Sequence, residues 1–112
     1  MHIRIILATI ALSLGQVASA DFVTIERAYE VPLSLLRIPP STNGSLMFRE
    51  CAQCEQFSVP VTAATEFSIN GKPVLLRDFR KSLFKIRDRE SEIVTVRRNL
   101  QSNTITAIKV AH

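Results

Sequence analysis

Along the later half of the chain, apolar and polar positions alternate with period two, and one stretch switches to a helical period. Residues 104–110, Thr-Ile-Thr-Ala-Ile-Lys-Val, alternate and predict a strand that closes a sheet. Ile93, Val94 and Val96 carry a β-branched strand before it, and residues 99–103 turn the chain between the two. Phe67-Ser68-Ile69 and Lys72-Pro73-Val74 flank Asn70-Gly71. Asn-Gly between two such runs predicts a hairpin, because both residues accept the positive φ of a type I′ turn. Pro73 offers no N–H, so its strand belongs on an edge or is very short. Leu76, Phe79, Leu83 and Phe84 then fall at i, i+3, i+7 and i+8. They form one apolar stripe that predicts a short amphipathic helix over residues 76–85, with Arg77, Arg80 and Lys81 outside it. Such a helix is too short to stand alone and must rest on the strands. The alternative is a helix lying on a membrane surface.

The earlier half is less regular. Residues 22–25 read as a short strand, and residues 29–38 are apolar but broken by Pro32. Residues 39–45 combine two prolines with Asn43-Gly44 and read as a loop. Residues 46–50 and 56–61 read as strands, which places Cys51-Ala52-Gln53-Cys54 at the tip of a hairpin between them. Residues 87–91 are a charged loop. The order is several strands, one helix, then two strands. It predicts a mainly β fold (small α+β): a compact antiparallel β-barrel or sandwich with one short amphipathic helix.

The first twenty residues follow a different rule. A short head with Arg4 precedes an apolar run over residues 5–14, and Ala18-Ser19-Ala20 ends the segment with small side chains. This is the pattern of a signal peptide cleaved after Ala20. A spanning helix needs about 20 apolar residues, and this run is interrupted by Ser13, Gly15 and Gln16. Removing residues 1–20 of 112 leaves 92, enough for one small β-rich domain over 21–112. No later stretch is apolar enough to span a bilayer. The expected location is periplasmic or secreted.

Composition narrows the chemistry. The full chain has 14 basic and 10 acidic residues. The excess is local: residues 72–98 hold nine basic side chains against Asp78, Asp88, Glu90 and Glu92. Arg77, Arg80, Lys81 and Lys85 are the candidate anion-binding group, facing either water or a partner, an unknown protein or an anionic envelope component. Export argues against a nucleic-acid partner. After cleavage His112 is the sole histidine, so paired-histidine zinc sites are excluded and a His-dependent triad would need the chain terminus. No glycine-rich phosphate loop is present, and no cofactor is expected.

Cys51 and Cys54 remain as the candidate chemistry. In an oxidising compartment the pair reads as a local disulfide. A redox dithiol would sit at a helix N-terminus, but residues 55–60 look extended, and Glu50 and Glu55 disfavour a thiolate. A copper or zinc module would need ligands beyond two sulfurs. Covalent haem needs histidine after the second cysteine, where this chain has Glu55.

Two stretches carry a resemblance. Arg37-Ile38-Pro39-Pro40 through Cys51-Ala52-Gln53-Cys54, with Phe67-Ser68-Ile69-Asn70-Gly71-Lys72 and Thr104-Ile105-Thr106-Ala107-Ile108, resemble short exported proteobacterial proteins of unknown function. Thr65-Glu66-Phe67 through Leu76 is similar to a run in bacterial OB-like barrel domains of unknown function. The resemblance implies a periplasmic location and an OB-like barrel. It implies no activity and transfers no site residue. The expected function is a small exported binding or accessory protein without catalytic activity. The alternatives are a thiol-disulfide redox partner and a copper or zinc binding module, both through Cys51 and Cys54.

Overall fold

The computed structural model describes residues 25–112. The expected signal segment and residues 22–24 lie outside the described residues. The elements run β1 (Glu26–Pro32), a 3-10 turn (Leu33–Leu35), β2 (Leu36–Arg37), β3 (Ser45–Phe48), β4 (Phe57–Pro60) and β5 (Glu66–Ile69). Then come β6 (Lys72–Val74), α1 (Leu76–Phe84), β7 (Ile93–Asn99) and β8 (Thr104–Val110).

The strands form two sheets. One has the order β1-β7-β8-β5-β6 and the other β2-β3-β4. The fold is mainly β with one α-helix, and the two-sheet arrangement is sandwich-like, with no closed barrel among the described residues. Nor is the pairing wholly antiparallel, because β5 runs parallel to β8. Parallel neighbours need a long crossover, and here it comprises β6, α1 and β7. The large sheet has β1 at one edge and β6 at the other, and β6 is a three-residue strand whose central Pro73 has no N–H for a further partner.

Local chemistry accounts for most boundaries. Asn70 and Gly71 have φ of 53° and 82°, the left-handed backbone that the β5–β6 turn requires. Pro73 lies on the sheet edge, as the sequence predicts. Asn99 Oδ1 accepts hydrogen bonds from the N–H of Gln101 and Ser102 and so shapes the β7–β8 turn. Gly44 backs onto Pro39, where a Cβ would come within 2.6 Å of the proline ring, so loop 39–45 folds tightly on itself.

Two strands depart from the expected pattern. β1 is a full strand that the apolar-run reading missed. Its Tyr29 and Val31 are buried, while Ala28 and Glu30 are exposed. Pro32 ends it without breaking it, because a proline is tolerated at the end of an edge strand. In β8 the alternation is interrupted by a bulge: Arg97 pairs with Ala107 but Arg98 pairs with Ile105, leaving Thr106 extra. Strict alternation would turn Ile105 and Ile108 to opposite faces. The bulge buries both in the core.

The inner face of the large sheet is covered twice. The three-stranded sheet meets β1 through Tyr29 and Phe48, whose rings lie edge to face at 5.0 Å, and Phe57 stacks on Phe48 at 5.3 Å. Helix α1 meets β5 through Phe79 and Phe67, 5.4 Å apart. Phe79 and Leu83 are buried and Leu76 is half-buried, as the stripe predicts. Phe84, expected in that stripe, points away and is 79% exposed. At 100° per residue it stands about 100° from Leu83, past the rim of the covered surface. No helix among the described residues is long and apolar enough to cross a membrane.

This arrangement predicts opposite outcomes for two phenylalanines of one helix. Phe79→Ala should cost about 3–5 kcal/mol, a large part of the roughly 5–15 kcal/mol available to a small domain. Phe84→Ala should stay within about 0.5 kcal/mol. Urea denaturation monitored by circular dichroism measures both.

Candidate functional site

The β3–β4 register, with Phe48 opposite Phe57, brings the strand ends together and leaves residues 49–56 as the hairpin tip. Cys51 and Cys54 form a disulfide there, with their Cα atoms 5.0 Å apart. The Cys54 N–H donates to the Cys51 carbonyl at 3.1 Å, so a backbone turn and the disulfide close the same short loop. Arg49 braces the tip from its base. Its Nη1 donates to the Ala52 carbonyl at 3.1 Å and its Nη2 to Gln56 Oε1 at 2.5 Å. The Arg49 N–H donates to the Leu35 carbonyl and ties the hairpin to the 3-10 turn. Both cysteines and Glu50 and Glu55 are exposed.

The chain continues from Cys54 into β4, not into a helix. The dipole and free N–H groups that stabilise a thiolate in a redox dithiol are missing from this tip. For metal, the two sulfurs are bonded to each other, and among the described residues no cluster of three or more His, Cys, Asp or Glu side chains is placed to hold an ion. Metal binding would therefore require reduction first.

The expected basic group is divided by the structure. Arg77, Arg80, Lys81 and Phe84 sit at i, i+3, i+4 and i+7, one stripe on the flank of α1. Lys85 falls after the last turn and lines a different depression with Asp88, Glu92 and His112. Two cations that the sequence reading did not group here join Arg80. Arg37 of β2 and Arg89 of the following loop line a cleft of about 390 Å³ with Arg80, with Leu36, Ile38 and Leu83 beneath and the exposed Phe84 at its rim. Arg89 is fixed there, because its Nη1 donates to the Leu83 carbonyl at 2.9 Å and caps the helix C-terminus. No carboxylate lines this cleft. Arg37 and Arg89 lie 43 and nine residues from Arg80 in sequence, and the fold joins them: the Ser34 N–H, just before β2, donates to the Arg89 carbonyl at 3.0 Å.

Two other features have less to offer. The open face of the large sheet has a concavity of about 790 Å³, crossed by the register row Glu30, Thr95, Lys109, Ser68 and Pro73. Its charges are mixed, and Glu30 already accepts a hydrogen bond from Thr95 Oγ1. At the C-terminus the His112 N–H donates to Asn70 Oδ1, and its Nδ1 lies 2.5 Å from Glu92 Oε1. The ring's partner is thus a carboxylate; Ser91 lines the same depression, but its hydroxyl has no hydrogen bond to the ring.

Removing the brace tests the description of the tip. Arg49→Ala should change global stability by less than about 1 kcal/mol, since both of its side-chain bonds are exposed. It should speed reduction of the disulfide by a small thiol, followed by alkylation and mass. An unchanged reduction rate would show that the backbone turn alone holds the pair.

No family model matches the chain, no curated protein matches it, and no solved structure matches its fold.

Proposed function

We propose that the chain is exported, is cleaved after Ala20, and acts in the periplasm or outside the cell as a small binding or accessory domain without catalytic activity. The Cys51–Cys54 pair serves as a local brace, and the basic flank of α1 meets an anionic component of the envelope. The observation that carries this reading is the disulfide itself. It sits exposed at a hairpin tip, where a reducing compartment would open it. The signal pattern of residues 1–20 supports the same compartment from independent residues. Similarity to short exported proteobacterial proteins and OB-like domains belongs to this proposal, carried by the residues quoted for it above.

A second reading, a thiol-disulfide redox partner, is favoured by that same exposure: both sulfurs are open to attack by an incoming thiolate. The two readings separate on substitution. As a brace, the pair closes so short a loop that Cys51→Ser with Cys54→Ser should cost about 2 kcal/mol or less and leave partner binding intact. As a redox site, Cys51→Ser alone should abolish function.

Intact mass of the protein recovered from the exporting compartment tests the first reading. The expected species lacks residues 1–20, resists alkylation before reduction, and gains two labels after it. Retention of residues 1–20, or thiols that alkylate without reduction, would contradict the proposal.

A further inference from the structure

Phe84 is the feature of α1 that packing does not explain. A lone exposed apolar side chain is ordinary on a protein surface, but the surroundings of this one are not. Within its own helix it shares a stripe with Arg77, Arg80 and Lys81. Across the cleft, Arg37 and Arg89 approach from β2 and the loop after α1. A protruding aromatic ring therefore stands beside Arg80, Arg37 and Arg89 at the cleft and shares its helix stripe with Arg77 and Lys81, five cations drawn from three segments. Asp78, the acidic residue of α1, lies about 60° beyond Lys81, outside the stripe and on the side away from Arg80 and the cleft.

The shape discriminates among anionic partners. A small free anion would use the arginines of the cleft and gain nothing from an exposed phenyl ring. A stable protein partner needs about 800 Å² of surface per side with an apolar centre, and one ring beside a group of cations does not supply that centre. A bilayer interface matches both parts. Its headgroup layer accepts an aromatic ring at shallow depth, and its phosphates draw arginine and lysine side chains whose stems lie along the apolar boundary. One apolar anchor plus a basic patch is the two-signal logic of reversible membrane attachment.

We propose that this flank of α1, with Arg37 and Arg89 beside it, docks the protein on a bilayer surface rich in anionic phospholipid. Phe84 enters the interface, and the neighbouring cations meet headgroup phosphates. This deepens the reading of the chain as an exported binding domain by supplying its partner.

Co-sedimentation of the full chain with lipid vesicles tests it. Vesicles containing phosphatidylglycerol are compared with vesicles of phosphatidylcholine alone, so that the contribution of the apolar segment at residues 5–14, common to all variants, is subtracted. The phosphatidylglycerol-dependent partitioning should fall roughly fivefold for each cation removed, so roughly a hundredfold in Arg37→Gln, Arg77→Gln, Lys81→Gln. It should fall roughly tenfold in Phe84→Ser, and should weaken at about 0.5 M salt, where the screening length is about 4 Å. All four sites are exposed, and unchanged thermal melts would show that the variants fold. Equal partitioning onto both vesicle types, or a Phe84→Ser variant that binds as the parent does, would overturn the proposal. Competition by soluble glycerol phosphate would also overturn it and assign the cleft to a free phosphate ligand. Vesicle binding does not depend on cleavage after Ala20, so its failure and a failure of export are separately visible.

Discussion

β8 pairs with β7 on one side and with β5 on the other, and the remainder of the fold is arranged around that double ladder. β5 and β8 lie some forty residues apart in sequence, so this parallel ladder is a long-range contact. The bulge at Thr106 is what makes β8 fit both neighbours, since it turns Ile105 inward as well as Ile108. Thr65 secures the same place from outside the ladder. Its buried Oγ1 donates to the Ile105 carbonyl at 2.6 Å and accepts from the Thr62 N–H at 2.9 Å. A hydroxyl with both functions satisfied in a buried site contributes more than its polarity suggests, because either partner alone would be left unpaired.

The surface chemistry is a consequence of that core. Phe79 and Leu83 fix the rotation of α1 against β5 and leave Arg77, Arg80, Lys81 and Phe84 on its outer flank. The 3-10 turn carries the chain from the large sheet to the small one and sets β2, with Arg37, beside the helix. The disulfide hairpin projects from the same end of the small sheet that the 3-10 turn enters, where Leu36 pairs with Phe48, and its contribution is local. Its bonds stay within residues 49–56, apart from the Arg49 N–H to Leu35. Brace and basic cleft thus adjoin at Arg37, which lines a depression with Arg49 and Gln56 on one side and the cleft with Arg80 and Arg89 on the other.

Features with short-range causes were legible in the sequence. The Asn70-Gly71 hairpin, the edge position of Pro73, the helix after it and the cysteine-tipped hairpin follow from turn chemistry and periodicity. What escaped depends on partners distant along the chain. β1 is masked because Glu26, Arg27 and Pro32 dilute its alternation, and only pairing with β7 reveals it. The parallel β5–β8 ladder and the bulge have no local signature. Of the candidate site, the cations of α1 could be named, but not that Lys85 would separate from them or that Arg37 and Arg89 would join Arg80. Phe84 misled for a related reason: a residue at the margin of an apolar stripe is assigned inward or outward by the width of what covers the helix, and sequence period alone carries no such width.

If β8 organises the molecule, stability should be graded outward from it. Native-state amide hydrogen exchange, resolved by residue, measures this directly. The backbone amides paired in the β7–β8 and β5–β8 ladders should exchange last, with the free energy of global unfolding, while α1 and the β3–β4 hairpin open earlier. Slowest exchange in the disulfide hairpin, with β8 opening ahead of it, would contradict the account and make the cysteine-braced sheet the centre of the fold.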